Sequence, residues 1–384
     1  MVDLVEESWR PEEIEEIYER QLAVTPDDFR DALHQRFERR GQLVLTGSAR
    51  HALGSLLDTL MKRSRKRRVL ISSFNCRVVS NAVESAGLEV ATYDFSSSNG
   101  RIEWDSVARM LTDDHLALIV SHFFGVPTDF RSILSAARAK NVVVIEDCAH
   151  SLGGAICGTN AGQVGDAAVF SFNYDKPISL AGGGALLINE PSIKVDRAAV
   201  EAMPARNVEL RQFRKLVSTL RYRRKPKDNG PLMSRIGSRI HSLPDLPVGI
   251  GALRAAVGVW QLGRYDAIRA VRDKNAKILN DSLGHLSWYV GESVLPAYLK
   301  LRILVDSADA LSGIRQCREH RIIAANSNWP KIVDSNDNKA HLHAIRAATY
   351  GLELPIHQNL MPGDIARIAS AFSSADTPAW SAMV

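Results

Sequence analysis

Residues 142–184 read VVVIEDCAHSLGGAICGTNAGQVGDAAVFSFNYDKPISLAGGG, and the reading of the fold turns on them. The apolar run 142–145 has the length of one buried strand of a parallel sheet. Glu146 and Asp147 follow where that strand ends, and open α/β sheets bind ligands at the carboxyl ends of their strands. A second apolar run, 167–172, ends four residues before Lys176, which lies 29 positions beyond Asp147. Gly182, Gly183 and Gly184 close the stretch. Two strand ends thus deliver an acid and a lysine, and small residues beside the lysine (Ser179, Ala181 and the glycines) leave it room to move. Taken singly, a loop lysine and a turn aspartate are ordinary surface features; their joint spacing points to a site. The pair suits a Schiff-base cofactor. Pyridoxal phosphate needs a lysine to hold it as an imine and a carboxylate to keep its ring nitrogen protonated. Once the imine exchanges, the freed lysine carries the proton between carbons.

The segment VIEDCAHSLGG, followed by GDAAVFSFNYDK and the glycine run, resembles the sugar aminotransferase family, the DegT/StrS group of fold type I pyridoxal phosphate enzymes. The resemblance implies an α/β fold. A large domain with a mostly parallel seven-stranded sheet between helices would span about residues 1–250, and a small C-terminal α/β domain would span 251–384. It also implies that Asp147 pairs with the ring nitrogen, that His150 lies by the ring, that Ser171 binds the phosphate and that Lys176 forms the Schiff base. The dehydratase branch of the family carries His in place of this lysine, so Lys176 argues for transamination.

Working outward, residues 43–58, LVLTGSARHALGSLLD, run from a short strand through a small-residue turn into an apolar-periodic helix. Gly and Ser at a helix start expose unpaired N–H groups, which serve either as a plain cap or as an anion site. On the resemblance, the turn Gly47, Ser48 and Ala49 holds the cofactor phosphate. The stretch VLISSFNC, 69–76, places Cys76 where the family presents an aromatic that stacks on the ring, with Phe74 two residues earlier. Two further departures are visible. The family's Gly-Glu-Gly-Gly is Ala181-Gly182-Gly183-Gly184 here, and its Asn and Arg that reach the partner subunit fall on Pro247 and Gly249. His122, Gly125, Pro127 and Asp129 match a family segment with a structural role. Repeated strand–helix alternation from 43 to 172 predicts a mostly parallel sheet covered on both faces.

Thr25-Pro26-Asp27-Asp28 predicts a capped helix start near the N-terminus, and residues 252–275 read as one long amphipathic helix linking the two domains. Residues 299–325 read as strand, helix, strand, and LELPIHQNLMPGDIARIASAF from Leu352 resembles the family's closing segment. Arg302, on the first of these strands, has the geometry to grip a substrate carboxylate in two bonds, and Trp329 falls where the substrate-facing loop returns. The segment 206–246 is strongly basic. It reads either as a solvated helical insertion or as a surface that captures an anionic substrate such as a nucleotide diphosphate, or docks an acidic carrier protein.

With 384 residues, 45% of them apolar and 24% charged, the chain has room for a large core and is of ordinary globular composition. A net charge of +5 and the run KRSRKRR at 62–68, which lacks interleaved aromatics, do not argue for nucleic acid. Cys76, Cys148, Cys157 and Cys317 show no metal spacing and fit reduced thiols, so no metal is expected. No apolar stretch approaches the roughly 20 residues that span a bilayer, and no secretory signal is read at the start. The expectation is a cytoplasmic homodimer, with no nucleic-acid or membrane partner, that takes glutamate as amino donor and a nucleotide-linked keto-sugar as acceptor. Non-nucleotide sugars, cyclitols or natural-product ketones are alternative acceptors. A non-catalytic regulatory relative is the alternative of a different class.

Overall fold

The computed structural model describes residues 13, 17, 24–37, 41–173, 175–180, 182–201, 249–320, 322, 324, 331–332 and 341–375. The basic segment 206–246, Ala181, Pro247 and Trp329 lie outside the described residues.

Seven strands form the main sheet: β1 (Gln42–Thr46), β2 (Arg68–Ser72), β3 (Glu89–Tyr93), β4 (His115–Ser121), β5 (Val143–Asp147), β6 (Ala167–Ser171) and β7 (Gly184–Ile188). Their order is β1-β7-β6-β5-β4-β2-β3. Only β7 runs against its neighbours; the other pairings are parallel, as the alternation of strands and helices predicts. Side chains alternate between the faces with the period of two that a pleated strand imposes. Ile71, Ile119, Ile145 and Val169 pack under α1 (Ala49–Met61) and α2 (Arg77–Ser85). From the other face, Leu70, Leu118 and Val144 meet α3 (Trp104–Met110) and α4 (Leu134–Ala139). All seven residues of β4 are buried, which is why the central strands read as continuous apolar runs.

An earlier helix, Pro26–Arg36, starts as the sequence predicts: Thr25 caps it in a reciprocal capping box with Asp28, and Pro26 stands in its first turn. The linking segment differs from the expected single helix. It breaks at Gly263-Arg264 into α5 (Ala252–Leu262) and α6 (Tyr265–Leu283), at a glycine, a poor helix former. A second apolar core lies beyond it. Strands β8 (Leu301–Leu304) and β9 (Gly351–Leu354) pair antiparallel, and with α6, α7 (Ser307–Glu319) and α8 (Pro362–Phe372) they bury Leu279, Ile303, Leu354, Ile368 and Phe372. Gly125 ties this part to the sheet. At φ +89° its missing Cβ would stand 2.3 Å from the Ala297 oxygen, and its own oxygen accepts from the Ala297 N–H at 2.8 Å. The structural role expected for the 122–129 segment is met there. Among the described residues, no helix is long and apolar enough to cross a membrane.

Candidate active site

The parallel strands deliver their carboxyl ends to one rim of the sheet. Ser121 of β4 pairs with Asp147 of β5, which pairs with Val169 of β6. Ser171 pairs with Gly184 of β7, which pairs in turn with Thr46 at the end of β1. Just past Thr46, Ser48 caps α1 by accepting from the His51 N–H at 3.1 Å. Gly184 is fitted against this turn: a Cβ there would meet the Ala49 nitrogen at 2.5 Å and the Ser48 carbonyl carbon at 2.6 Å. Gly183 bridges to Ser48. Gly47, Ser48, Ala49 and Ser171 therefore surround one helix start, and the first turn of α1 holds no acidic side chain to repel an anion.

Glu146 and Asp147, adjacent on a strand, face opposite ways and do different work. Glu146 is fully buried and takes the N–H groups of Gly162, Val164 and Gly165 at 2.7–2.8 Å, with His122 Nε2 at 3.0 Å. His122 Nδ1 accepts from the Thr128 N–H. His122, Glu146 and Cys148 lie close enough to suggest a metal, but the His122 and Glu146 donor atoms are spent on these structural bonds. Asp147 looks into the site. Burial pushes its carboxyl up, opposed by the Ala149 N–H at 3.1 Å and by the Lys176 charge. The acid and the lysine thus share one electrostatic neighbourhood. His150 is buried beside them, and its Nδ1 accepts from the Phe124 N–H at 3.2 Å. That bond leaves the proton of the neutral ring on Nε2. Burial first, then the Lys176 and Lys300 charges, hold the imidazole well below its ordinary range.

Lys176 sits in a loop that closes on itself: Phe172 N–H donates to Gly183 O at 2.9 Å, Leu180 N–H to Phe172 O at 2.8 Å and Lys176 N–H to Asn173 O at 3.1 Å. Gln261 of α5 grips the loop at Ser179, accepting its N–H at 2.9 Å and donating to its oxygen. The Ser179 backbone is therefore pinned. The Lys176 side chain is 9% exposed, with Nζ 2.8 Å from Asp175 Oδ2.

The model of the DegT/DnrJ/EryC1/StrS aminotransferase family matches residues 25–373. The chain belongs to this family. Over 113 residues it is 28% identical to GDP-perosamine synthase of Escherichia coli O157:H7, an overlap of 29% of this chain and 31% of that protein. Over 171 residues it is 28% identical to UDP-4-amino-4,6-dideoxy-N-acetyl-beta-L-altrosamine transaminase of Campylobacter jejuni, an overlap of 44% of each chain. Of one curated relative the chain spans 55% of the length, and of Protein MosB from Rhizobium meliloti 25%. The crystal structure of the sugar aminotransferase CalS13 from Micromonospora echinospora shares the fold, with a TM-score of 0.73 at 16% identity over 97% of this chain and 100% of that one.

Against the DegT/StrS pattern, one sequence expectation changes. Arg302 does not face a substrate. Its guanidinium is fully buried, 3.3 Å from Glu353 Oε1, 2.6 Å from the Ala347 oxygen, and over the Phe124 and Phe74 rings at 4.9 and 5.3 Å. The cause is register: Arg302 and Glu353 are direct partners across β8 and β9. Phe74, near the expected stacking position, is turned into an aromatic cluster with Phe95, Phe123, Phe124 and Trp288. Cys76 is half-buried and stands just before α2, without a side-chain hydrogen bond to the helix start. Three residues near the site were missed: Asp175, Lys300 and Glu353. Lys300 is buried, bonded to Glu353, and near enough for its charge to act on His150 and Asp175. The signal was there to read. Cations at 300 and 302 in an apolar strand, and an acid inside Leu-Glu-Leu at 352–354, had to find each other.

Proposed function

We propose that this chain is a pyridoxal 5'-phosphate-dependent aminotransferase, moving an amino group from glutamate to a keto-sugar carried on a nucleotide. The observation that carries the reading is that Asp147 ends β5 and Lys176 lies in the loop just after the neighbouring β6, beside a capped helix start whose first turn holds no acid. The cofactor, when bound, supplies a protonated ring that draws electrons from the substrate carbon. Gly47, Ser48, Ala49 and Ser171 hold its phosphate at the start of α1, where unpaired N–H groups favour an anion. Asp147, a buried carboxyl, would keep the ring nitrogen protonated. His150 packs by the ring with its tautomer fixed by the Phe124 N–H. Lys176 anchors the cofactor, and when the donor displaces it the amine takes a proton from one carbon and returns it to another. The nucleotide-linked acceptor is suggested by relatives whose names carry GDP- and UDP-linked sugars. The large domain, about 1–250, holds the cofactor, and 251–384 forms the small domain that closes over it. The active form is a cytoplasmic homodimer, and the basic 206–246 segment takes the nucleotide or an acidic carrier.

Reconstitution with pyridoxal phosphate tests this. Yellow protein with a band at about 400–430 nm that bleaches with glutamate is the expected result for this cofactor class. Borohydride reduction should fix the cofactor on Lys176. Lys176→Ala should keep its circular dichroism and lose transamination. Colourless wild-type protein, or an active Lys176→Ala, would refute the reading. Screening the aminated form against keto-sugars, with return of colour as the signal, identifies the acceptor.

A further inference from the structure

We infer that Asp175 is a positioning residue for Lys176: its carboxylate holds the lysine amine whenever that amine is not bonded to cofactor, and Arg272 takes over Asp175 when the amine leaves. The inference rests on the assignment of Lys176 above and adds two residues to it.

Three observations carry it. Lys176 Nζ lies 2.8 Å from Asp175 Oδ2 in a mostly buried setting, with the lysine side chain 9% and the aspartate 25% exposed. The second Asp175 oxygen, Oδ1, is buried and makes no hydrogen bond among the described residues. Arg272 of α6 is buried, and although its Nε donates to Gln358 Oε1 at 3.1 Å, Nη1 and Nη2 are buried with no hydrogen-bond partner among the described residues. Arg272 lines a small cavity with Pro177, the residue after the lysine, and lies near enough to Asp175 for the carboxylate charge to act on it. An unmatched acceptor and two unmatched donors thus stand in one neighbourhood behind the lysine. Buried polar atoms of this kind are uncommon and call for a reason.

A partner swap supplies one. A free lysine amine on a four-carbon stem has many rotamers, and proton transfer between carbons tolerates little misplacement. A carboxylate one residue away travels with the same loop and fixes the amine within reach. When Lys176 bonds to the cofactor it no longer offers Asp175 an ammonium, and a buried carboxylate left without a cation is costly. The free Nη atoms of Arg272 meet that need. Lys300 also acts on Asp175, but its ammonium is held by Glu353.

Acetic anhydride labelling of the cofactor-free protein, read by peptide mass analysis against the exposed Lys62, tests the contact without catalysis. In Asp175→Asn, Lys176 should label about tenfold faster than in wild type, the effect of losing one charge-assisted bond. Asp175→Glu should restore slow labelling. In cofactor-loaded protein given α-deuterated glutamate, D175N should lower kcat about a hundredfold, leave KM for the donor unchanged and raise the isotope effect. Arg272→Met, which leaves Asp175 intact, should weaken pyridoxal phosphate binding about tenfold, and it reads the swap even if D175N does not fold. Wild-type labelling of Lys176 in D175N overturns the positioning role, and unchanged cofactor affinity in R272M overturns the swap. Failure of the aminotransferase reading looks different: borohydride would leave Lys176 of the wild type unmodified, whatever the labelling shows.

Discussion

At the scale of single residues, burial together with the Lys176 and Lys300 charges keeps His150 neutral in the folded chain, whereas in the unfolded chain it takes a proton near pH 6.5. Below that pH the unfolded state binds a proton that the folded state refuses, so this residue makes stability fall as pH falls, by up to about 1.4 kcal/mol per unit. His115, lowered by burial and by Arg68, acts in the same sense. Asp147 and Asp166, both raised by burial, act in the opposite sense: the folded state holds their protons to higher pH than the unfolded state does. The difference between variants isolates the histidine. Urea melts of cofactor-free protein between pH 6.5 and 5 should show a slope up to about 1.4 kcal/mol per unit shallower in His150→Gln than in wild type; equal slopes would mean that the ring takes up its proton alike in the folded and unfolded chain. Gly184 makes a steric demand. In Gly184→Ala the new Cβ meets the backbone of Ser48 and Ala49, so the variant should lose about 3 kcal/mol of stability and bind pyridoxal phosphate more weakly, while unchanged affinity would place the phosphate elsewhere.

At the scale of elements, the sequence exposes whatever is local. The Thr25 capping box, the Ser48 helix start and the two strands ending at Asp147 and near Lys176 each follow from a few adjacent residues, and all are found where they are expected. The break at Gly263-Arg264 was missed because the apolar period runs through it. The hold of Gln261 on the Ser179 backbone, 82 residues away, was not legible because the contact is long-range. That clip gives a test. Gln261→Leu removes both bonds to the Ser179 backbone inside the protein and should cost about 2–5 kcal/mol, the sum of two buried groups left unpaired. Limited proteolysis should then cut within 172–183 faster than in wild type. An uncut loop would show that the closure between Phe172 and Gly183 holds it without help from α5.

At the scale of the whole molecule, the two apolar cores meet across a seam where charge replaces hydrocarbon. Lys300 and Arg302 of β8 converge on Glu353 of β9, and Arg302 lies over the aromatic cluster that includes Phe74 of the large sheet's rim. The antiparallel course of β7 was not legible beforehand, because it depends on which distant segments pair; of the seam, the charges set in apolar strands were legible, and their place between the two parts of the molecule was not. A buried pair deprived of one member costs more than the pair itself contributes, since the remaining charge has no solvent to turn to. Glu353→Gln strands two cations at once and should lower stability by about 3–5 kcal/mol in urea denaturation. Replacing all three residues by leucine removes the charges together and should leave stability near or above that of the wild type. The triple variant should nonetheless alter the site, because the Lys300 charge is one of the forces holding His150 neutral. Its His150 should therefore protonate at higher pH than in wild type, read by the imidazole resonances in nuclear magnetic resonance titration. A triple variant as unstable as Glu353→Gln would show that the seam depends on the shape of these side chains rather than on their charge.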